Sequence, residues 1–324
     1  MKQLVFPILT ILFTLSSTAL VAQSSHLEDD ILLDKKFDGF KALDIQYEYL
    51  SPSDYRMKMD KENKQYEKGR INSIQRFNAA ATMPIIAKKT FVFSLSGKYN
   101  YQAVDFGKVQ TVNIGVPTPP HHYSEELHGY AVGASAVMNG KLFGKHMLYV
   151  ASIVADGSHG FETVTGMMVA TMVLKKNETT SMSVGLYGST ARSSIFPFFP
   201  IFAYTHRFAS GWTFDSVLPQ RAHMRKVIGR NGRFSGGFTL DSNTFYIYPS
   251  DRQNFPHNYT YNRIDARLDV EYEHFMTKHI LFNAKAGFNK CYEGALRQKY
   301  KTKDIVIFKQ DANFFMNVGV AYKL

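Results

Sequence analysis

The chain ends in Phe314-Phe315-Met316-Asn317-Val318-Gly319-Val320-Ala321-Tyr322-Lys323-Leu324, and an apolar side chain occupies every even position of this stretch. The odd positions are mostly small or polar, as at Asn317, Gly319 and Lys323. Successive side chains of a strand point to opposite faces of a sheet, so this period of two predicts a strand with one apolar and one polar face. An apolar face toward lipid and a polar face toward a lumen are typical of transmembrane β-barrels. We therefore predict that the stretch is the last strand of such a barrel.

The same strand resembles the β-signal of bacterial outer-membrane proteins, in which a polar residue, a glycine and two apolar or aromatic residues end the chain. Asn317, Gly319, Tyr322 and Leu324 occupy these four places. The last residue of the family pattern is usually Phe, and Leu324 departs from it. The resemblance implies that the barrel assembly machinery inserts the protein into the outer membrane of a Gram-negative bacterium.

The N-terminal residues have the composition of a secretory signal peptide. Lys2 precedes an apolar stretch over residues 4–20, and Leu20-Val21-Ala22 offers a small-residue cleavage site. The alternative, a membrane-spanning helix, is disfavoured because the apolar stretch is short and the cleavage site is good. We predict a signal peptide over residues 1–22, a short periplasmic lead over 23–40 and a barrel domain over 41–324.

The composition agrees with strands that face lipid on alternate positions only. Hydrophobic residues make up 45% and aromatic residues 14% of the chain, yet the mean hydropathy is −0.21 because apolar residues are dispersed. Cys291 is the single cysteine, which excludes an internal disulfide. The net charge of +11 would suggest nucleic acid for a soluble protein. For an exported barrel it instead predicts contact with lipopolysaccharide phosphates or an anion-favouring pore, and no nucleic-acid partner.

Alternation and turn residues predict fourteen strands. They lie near residues 42–51, 72–83, 90–104, 127–138, 145–155, 162–174, 179–189, 201–207, 212–218, 222–227, 233–248, 261–274, 279–290 and 312–324. The connections alternate between short inner turns and mostly longer outer loops, as bacterial barrels require. The exception is the short outer turn Pro219-Gln220-Arg221, and twelve strands remain as the alternative if that hairpin is dropped. A soluble β-sandwich or propeller is disfavoured by the two chain ends and by the absence of blade repeats.

The predicted strand 261–274 carries a charged row on alternate positions. A charged side chain that faces lipid at mid-membrane costs roughly 2–4 kcal/mol for Arg or Lys, so this row must face inward. Neighbouring strands add charges, and the predicted lumen cluster comprises Arg263, Asp265, Arg267, Asp269, Glu271, Glu273, Lys285, Asp44 and Glu48. The second and third strands add Arg76 and Lys98. The cluster is either a constriction that selects solutes or an internal salt-bridge network that braces the lumen.

Other residues that could carry chemistry lie in predicted outer loops. His121 and His122, with His128 nearby, are interpreted as part of a solvated loop, because adjacent histidines rarely converge on one metal without further ligands. The sequence gives no reason to expect a metal or another cofactor.

A catalytic site at the outer rim is also not expected. Ser193, Ser194 and His257 fall on outer loops, but their spacing does not distinguish a catalytic triad from ordinary loop composition. The aromatic and proline-rich segment 195–200 is either a plug or partner-binding loop, or a loop at the lipid interface.

Several motifs together resemble a family of outer-membrane β-barrels of unknown function from the Bacteroidota. They are Leu20-Val21-Ala22-Gln23, Asp44-Ile45-Gln46-Tyr47-Glu48-Tyr49, Trp212 followed by Leu218-Pro219, and the terminal strand. The resemblance covers most of the mature chain and implies the barrel fold. It brings no established substrate or catalytic residues.

The function predicted first is a passive channel or transporter for small solutes. A closed barrel whose outer loops bind a partner or the cell surface is the alternative, and a lipid-modifying enzyme at the rim is the third hypothesis. The expected partners are outer-membrane lipid, lipopolysaccharide and the barrel assembly machinery. The oligomeric state stays open.

Overall fold

The computed structural model describes residues 36–59, 64–113, 116–191, 198–249 and 257–324. Fourteen antiparallel strands lie side by side in chain order, and the last strand pairs with the first, so the sheet closes into a barrel. The predicted architecture and strand number are confirmed. The predicted signal peptide and residues 23–35 of the predicted lead lie outside the described residues.

The strands are named β1 to β14 in chain order. Two of them have a two-residue break and are given as two segments, and Val116–Pro117 is a short addition to the β3–β4 hairpin. The bounds are β1 Lys41–Leu50 and Ser53–Met59, β2 Lys64–Lys88, β3 Phe91–Asn113, β4 His121–Leu142, β5 Lys145–Gly157, β6 Thr163–Lys176, β7 Thr180–Ser189, β8 Phe198–Arg207, β9 Trp212–Leu218, β10 Arg221–Ile228, β11 Gly232–Ile247, β12 Tyr259–Phe275, β13 Ile280–Gln298, and β14 Asp304–Gln310 and Asn313–Lys323.

The seam between β1 and β14 shows how the alternation of the sequence is used. Glu48 lies opposite Asn317 on β14 and opposite Arg76 on β2, so three strands bring polar side chains to one level of the lumen. On the other face the apolar side chains are exposed, among them Leu43, Ile45, Met316, Val318 and Val320. The predicted outward and inward faces of the first and last strands are confirmed.

Exposed apolar side chains surround the barrel on many other strands as well, for example Leu95, Ile153, Met168, Leu268 and Phe288. Lipid is the environment in which such a closed apolar surface is stable. No helix in the described ranges is long and apolar enough to cross a membrane. Because the sheet is closed and its outer surface is apolar, the chain is a transmembrane β-barrel, and it lies in the outer membrane of a Gram-negative bacterium.

Three of the predicted long outer loops are mostly strand. Residues 52–71, 105–126 and 291–311 were expected as loops, but β1 to β4, β13 and β14 continue through most of them. We call these outer parts of β1 to β4, β13 and β14 the extension. In the extension the pattern is reversed: Tyr55, Ile71 and Phe308 are buried inward, while Arg56 and Lys309 are exposed outward. Apolar-in and polar-out alternation suits strands that stand in water around a core of their own. The apolar-out pattern that predicts membrane strands is therefore absent from these segments.

The barrel wall is lowest at the β9–β10 hairpin. β9 has seven residues and β10 has eight, whereas β11 has sixteen and continues past the tip of the hairpin. Above that tip Ser242, Thr244 and Tyr246 share a face with the outward Phe238, yet they line a cavity inside the protein. Phe245 contacts Gly129 of β4. The upper part of β11 therefore leans across the lumen instead of continuing the outer wall.

Candidate functional site

The centre of the lumen holds a buried network of ion pairs around Glu48. Arg267 of β12 donates two hydrogen bonds of 2.8 Å to the two carboxylate oxygens of Glu48, and Arg76 of β2 donates one of 2.9 Å. Arg76 also donates to Asp265 at 3.1 Å, and Arg263 donates from Nε to both Asp265 oxygens at 2.9 Å. All five side chains are buried. Strands from opposite sides of the seam are thereby joined through the lumen.

Neutral side chains and one further carboxylate complete this network. Gln102 accepts from Arg76 Nε at 2.7 Å, and Asn289 accepts from Arg267 Nε at 3.2 Å. Asp241 of β11, opposite Asp265, lies 3.1 Å from Arg267. The Arg267 guanidinium lies over the ring of Phe315 of β14, 4.8 Å from the ring centroid. Charges that are paired and hydrogen-bonded to this degree brace the wall, which favours the salt-bridge interpretation for this part of the predicted cluster.

The other predicted charges lie nearer the inner end and are packed less tightly. Lys285 lies 3.6 Å from Glu271, and Glu273 accepts from Arg233 at 2.6 Å. Asp44 pairs with Lys41 at 3.2 Å and accepts from Gln46 at 2.6 Å. Both carboxylate oxygens of Asp269 lack a hydrogen-bond partner among the described residues. The structure thus divides the predicted cluster into a central brace and a looser inner group.

The inner group borders a polar cavity of about 280 Å³. Lys285 and Glu271 line one side, and β9, β10 and β11 supply the other. The sequence analysis did not single out the residues on that second side, which include Asp215, Arg221, His223, Arg225 and Arg233. Their strands lack the long regular alternation of β12, so no charged row was visible there.

Residues 36–40 close the inner mouth of the barrel. Phe37 is 2% exposed and packs in a cluster with Phe275, Leu281 and Ala321. The ring centroids of Phe37 and Phe275 are 4.9 Å apart, and the Arg233 guanidinium lies 4.9 Å from the Phe37 centroid. We call Lys36–Gly39 the inner plug. The sequence placed these residues in a polar periplasmic lead, because a single buried Phe gives no periodic signal.

Asp38 fixes the inner plug electrostatically. Its carboxylate lies 2.7 Å from Arg233 and 3.1 Å from Arg225, on β11 and β10. Burial alone would raise the pKa of the Asp38 carboxyl, but the two guanidinium groups outweigh it and hold that pKa below its usual value. At the opposite side Lys323 of β14 donates to the carbonyl oxygens of Phe37 and Lys36. The plug is held by strands on both sides of the mouth.

A second cavity of about 470 Å³ lies in the outer half, between the upper part of β11 and the inward face of β4–β7. Its walls include Val154, Met167 and Tyr187. Lys98 and Ser242 line both cavities, so these two side chains lie at the boundary between the two spaces. Lys98 was predicted to point inward, and the structure confirms this.

The outer cavity is roofed by the β5–β6 connection, residues 158–162. Ser158 Oγ accepts from the Tyr246 backbone N–H at 3.4 Å, and Tyr300 donates to the Glu162 carbonyl at 2.7 Å. Lys299 lies 3.6 Å from the Glu162 carboxylate. The top of the cavity is therefore covered by the β5–β6 and β13–β14 connections and the outer end of β11, and the β5–β6 connection binds the other two.

The remaining candidates do not assemble into a reactive centre in the described ranges. His121 and His122, which were expected in a loop, lie on β4 together with His128, and the three make separate contacts with Pro119, Asp105 and Tyr99. No group of three or more potential metal ligands occurs among the described residues. Ser193, Ser194 and residues 195–197 lie outside them. Residues 198–200, expected in a loop, begin β8.

The four residues of the predicted assembly signal lie at the seam. Asn317 faces Glu48, and Gly319 faces Gln46, whose amide a Cβ at this position would overlap. Tyr322 and Leu324 are exposed on the outer surface. Gly319 thus has a steric reason to be glycine, while the role of the four residues in assembly stays a prediction.

No protein-family model matches the chain, and no curated protein sequence is similar to it. Among solved structures it resembles the outer-membrane protease OmpT from Escherichia coli, with 7% identity, 87% of this chain and 96% of that chain covered, and a TM-score of 0.30. It also resembles an outer-membrane channel from Pseudomonas putida F1 (8% identity, 87% and 94%, TM-score 0.38) and the toluene transporter TodX of P. putida (8%, 93% and 96%, 0.22). The likeness concerns the barrel fold, which proteins of differing activity share.

Proposed function

We propose that the protein is a passive channel for small solutes whose inner mouth is closed by the inner plug. The observation that supports this most directly is that Lys98 and Ser242 line both cavities. From there the inner cavity extends to Asp38, so the plug is the barrier that borders the periplasmic end of the route. A solute that reaches the inner cavity passes when the plug leaves the mouth.

Conductance in planar bilayers tests the proposal. We expect rare openings for the wild type and at least several-fold more open time for the double variant Phe37→Ala, Asp38→Ala, because it loses both the buried ring and the two ion pairs. Asp54→Ala is the matched control, since Asp54 is exposed on the extension of β1, outside the lumen. If the double variant is folded and conducts no more than the control, the channel proposal is wrong.

A closed barrel that binds a partner at the cell surface is a second candidate. The extension above the membrane favours it, because strands with a solid apolar core and a charged outer face form a rigid platform. Absence of conductance in both the wild type and the plug variant would favour this candidate over the first.

We also propose that residues 1–22 direct export and that the terminal strand directs assembly, as the resemblance to Bacteroidota barrels implies. The double variant Tyr322→Ala, Leu324→Ala should then reduce the amount of folded barrel in the outer membrane. The control Val318→Ala, Val320→Ala removes apolar area from the same face of β14. Equal loss in both variants would assign the effect to lipid contact and not to a signal.

A further inference from the structure

The outer cavity lies behind a gap in the barrel wall. A transmembrane strand tilted by about 45° needs roughly 9–11 residues, and β9 and β10 have seven and eight. Their hairpin therefore ends below the outer edge of the apolar band. At the level of the hairpin β8 and β11 are three interstrand spacings apart, about 14 Å, and above it no described strand lies between them.

The strand edges beside this gap are unpaired within the described ranges. The Leu240 backbone N–H donates to the Gln220 carbonyl at 2.8 Å, and no described strand continues this ladder along Asp241–Ile247. On the other side Phe198–Ile201 pair with β7 but not with β9. Pro200 lies in this part of β8, and proline is tolerated at a free edge because it has no N–H to donate.

The lining of the outer cavity matches the position of the gap. Strands β3–β7, β11 and β12 contribute side chains, while the described residues of β8, β9 and β10 contribute none. The β5–β6 connection, residues 158–162, covers the cavity from above, as described. The cavity is bounded by these strands, and Ser189, Thr190 and Ala191 at the outer end of β7 bring its lining to the wall beside the gap.

The chemistry of the cavity is amphipathic. Val154, Met167 and Tyr187 give it an apolar wall. At its floor the Lys98 side chain is exposed to the cavity, and among the described residues no carboxylate lies within ion-pair distance of its ammonium. The Asp241 carboxylate interacts electrostatically with the Lys98 ammonium from beyond ion-pair distance, and it is itself paired with Arg267. Asn100 and Asn243 each leave one amide atom without a hydrogen bond there.

Lipid contacts continue from the cavity to the outer surface. Phe198, Leu186 and Leu218 are exposed on the membrane side of β7, β8 and β9, next to the gap. An unpaired strand edge is unstable against hydrocarbon but stable where it borders a polar cavity or headgroups. A molecule with a polar head and an apolar chain satisfies both surfaces at once.

We propose that the outer cavity is a binding site for an anionic amphiphile that enters laterally from the outer leaflet through the gap between β8 and β11, and that binds with its head at Lys98 and its chain along Val154, Met167 and Tyr187. A single-chain molecule fits the volume, which lies within the range of small-ligand sites. The binding site does not depend on whether the lumen conducts.

Photolabelling of the full chain in phosphatidylcholine nanodiscs tests the proposal. The probe is dodecanoate with a diazirine on its alkyl chain, and labelled residues are identified by mass spectrometry. We expect labels on cavity residues such as Met167 and Tyr187, and competition by unlabelled dodecanoate but not by dodecanol. Lys98→Met should reduce cavity labelling at least tenfold, while the matched control Lys309→Met, on the exposed face of β14, should leave it unchanged.

A second variant guards against misfolding of the first. Ser189→Trp fills the cavity beside the gap without removing a charge, and it should also abolish the labels. Labels confined to outward residues such as Phe198, or equal cavity labelling of wild type and Lys98→Met, would overturn the proposal. Since no ion flux is measured, a protein that fails as a channel can still pass this test.

Discussion

Glu48 is the residue on which the lumen network depends most. One carboxylate accepts from guanidinium groups of β2 and β12, on either side of the β1–β14 seam. Each of these arginines has only one other carboxylate, Asp265 for Arg76 and Asp241 for Arg267, within the described residues. Loss of Glu48 therefore leaves two buried cations short of a partner.

We expect Glu48→Gln to lower the free energy of unfolding by about 3–5 kcal/mol, because removal of one partner from a buried ion pair leaves uncompensated charge. Urea unfolding of the lipid-reconstituted barrel, followed by tryptophan fluorescence, measures this. Asp54→Asn, an exposed site, should change stability by less than about 0.5 kcal/mol. A loss below about 1 kcal/mol for Glu48→Gln would show that the network does not brace the wall.

The structure separates charges that can act on solutes from charges that cannot. Lys98 lines both cavities, whereas Arg263 is 1% exposed and occupied with Asp265. Removing positive charge from the route should shift ion selectivity toward cations. In the plug-free background, Lys98→Met should therefore shift the reversal potential under a salt gradient. Arg263→Met should affect stability and leave the reversal potential of any folded channel unchanged, and the opposite pattern would place Arg263 in the route.

Asp38 gives the inner plug a pH dependence with a definite sign. Its folded-state pKa is lowered, so its contribution is fully present above the unfolded pKa of about 3.9 and is lost as the pH falls through the folded value. We expect bilayer conductance to stay low near neutral pH and to rise only in strong acid. Asp38→Asn should conduct at neutral pH and lose this acid response. An acid response that persists in Asp38→Asn would assign it to another group.

At the scale of elements, the sequence was sufficient wherever strands face lipid. The bounds of β9 were predicted as 212–218 and are Trp212–Leu218, and the short turn at Pro219 is a real hairpin tip. The sequence did not predict the extension, because its alternation is inverted. It did not predict the inner plug either, because Phe37 and Asp38 acquire partners only through β10, β11 and β14. Charged rows on β12 were visible as inward, but which of them pair across the lumen depends on register and could not be predicted.

The extension should be stable because of its aromatic core. The Tyr55 ring lies 5.2 Å from Phe106 and 5.6 Å from Phe308, and its hydroxyl donates to Glu67 at 2.7 Å. We expect Tyr55→Ala to cost about 3–5 kcal/mol, as for other large-to-small core changes. Protease treatment of intact cells should then cut the extension, while the membrane part stays folded. Arg56→Ala, the next residue outward, should stay resistant, and equal cleavage of both variants would contradict the core assignment.

At the scale of the whole molecule, the barrel has two halves of different construction. Strands β11–β14 and β1–β4 carry the ion-pair network and the outer extension, and β4–β9 carry a second apolar cluster that faces inward, with Val150, Tyr187 and Phe199. Both cavities lie where the halves meet. Within the described residues the inner plug closes one end and outer connections narrow the other, so the low wall between them is a further approach to the interior.

The contacts of Lys323 link the inner plug to the closure of the barrel. This lysine ends β14, and the carbonyls that receive its hydrogen bonds lie just before β1. The plug is thus tied to both strands of the seam, and this contact exists only when β1 and β14 are paired. The contact therefore couples the closing of the inner mouth to the closing of the sheet.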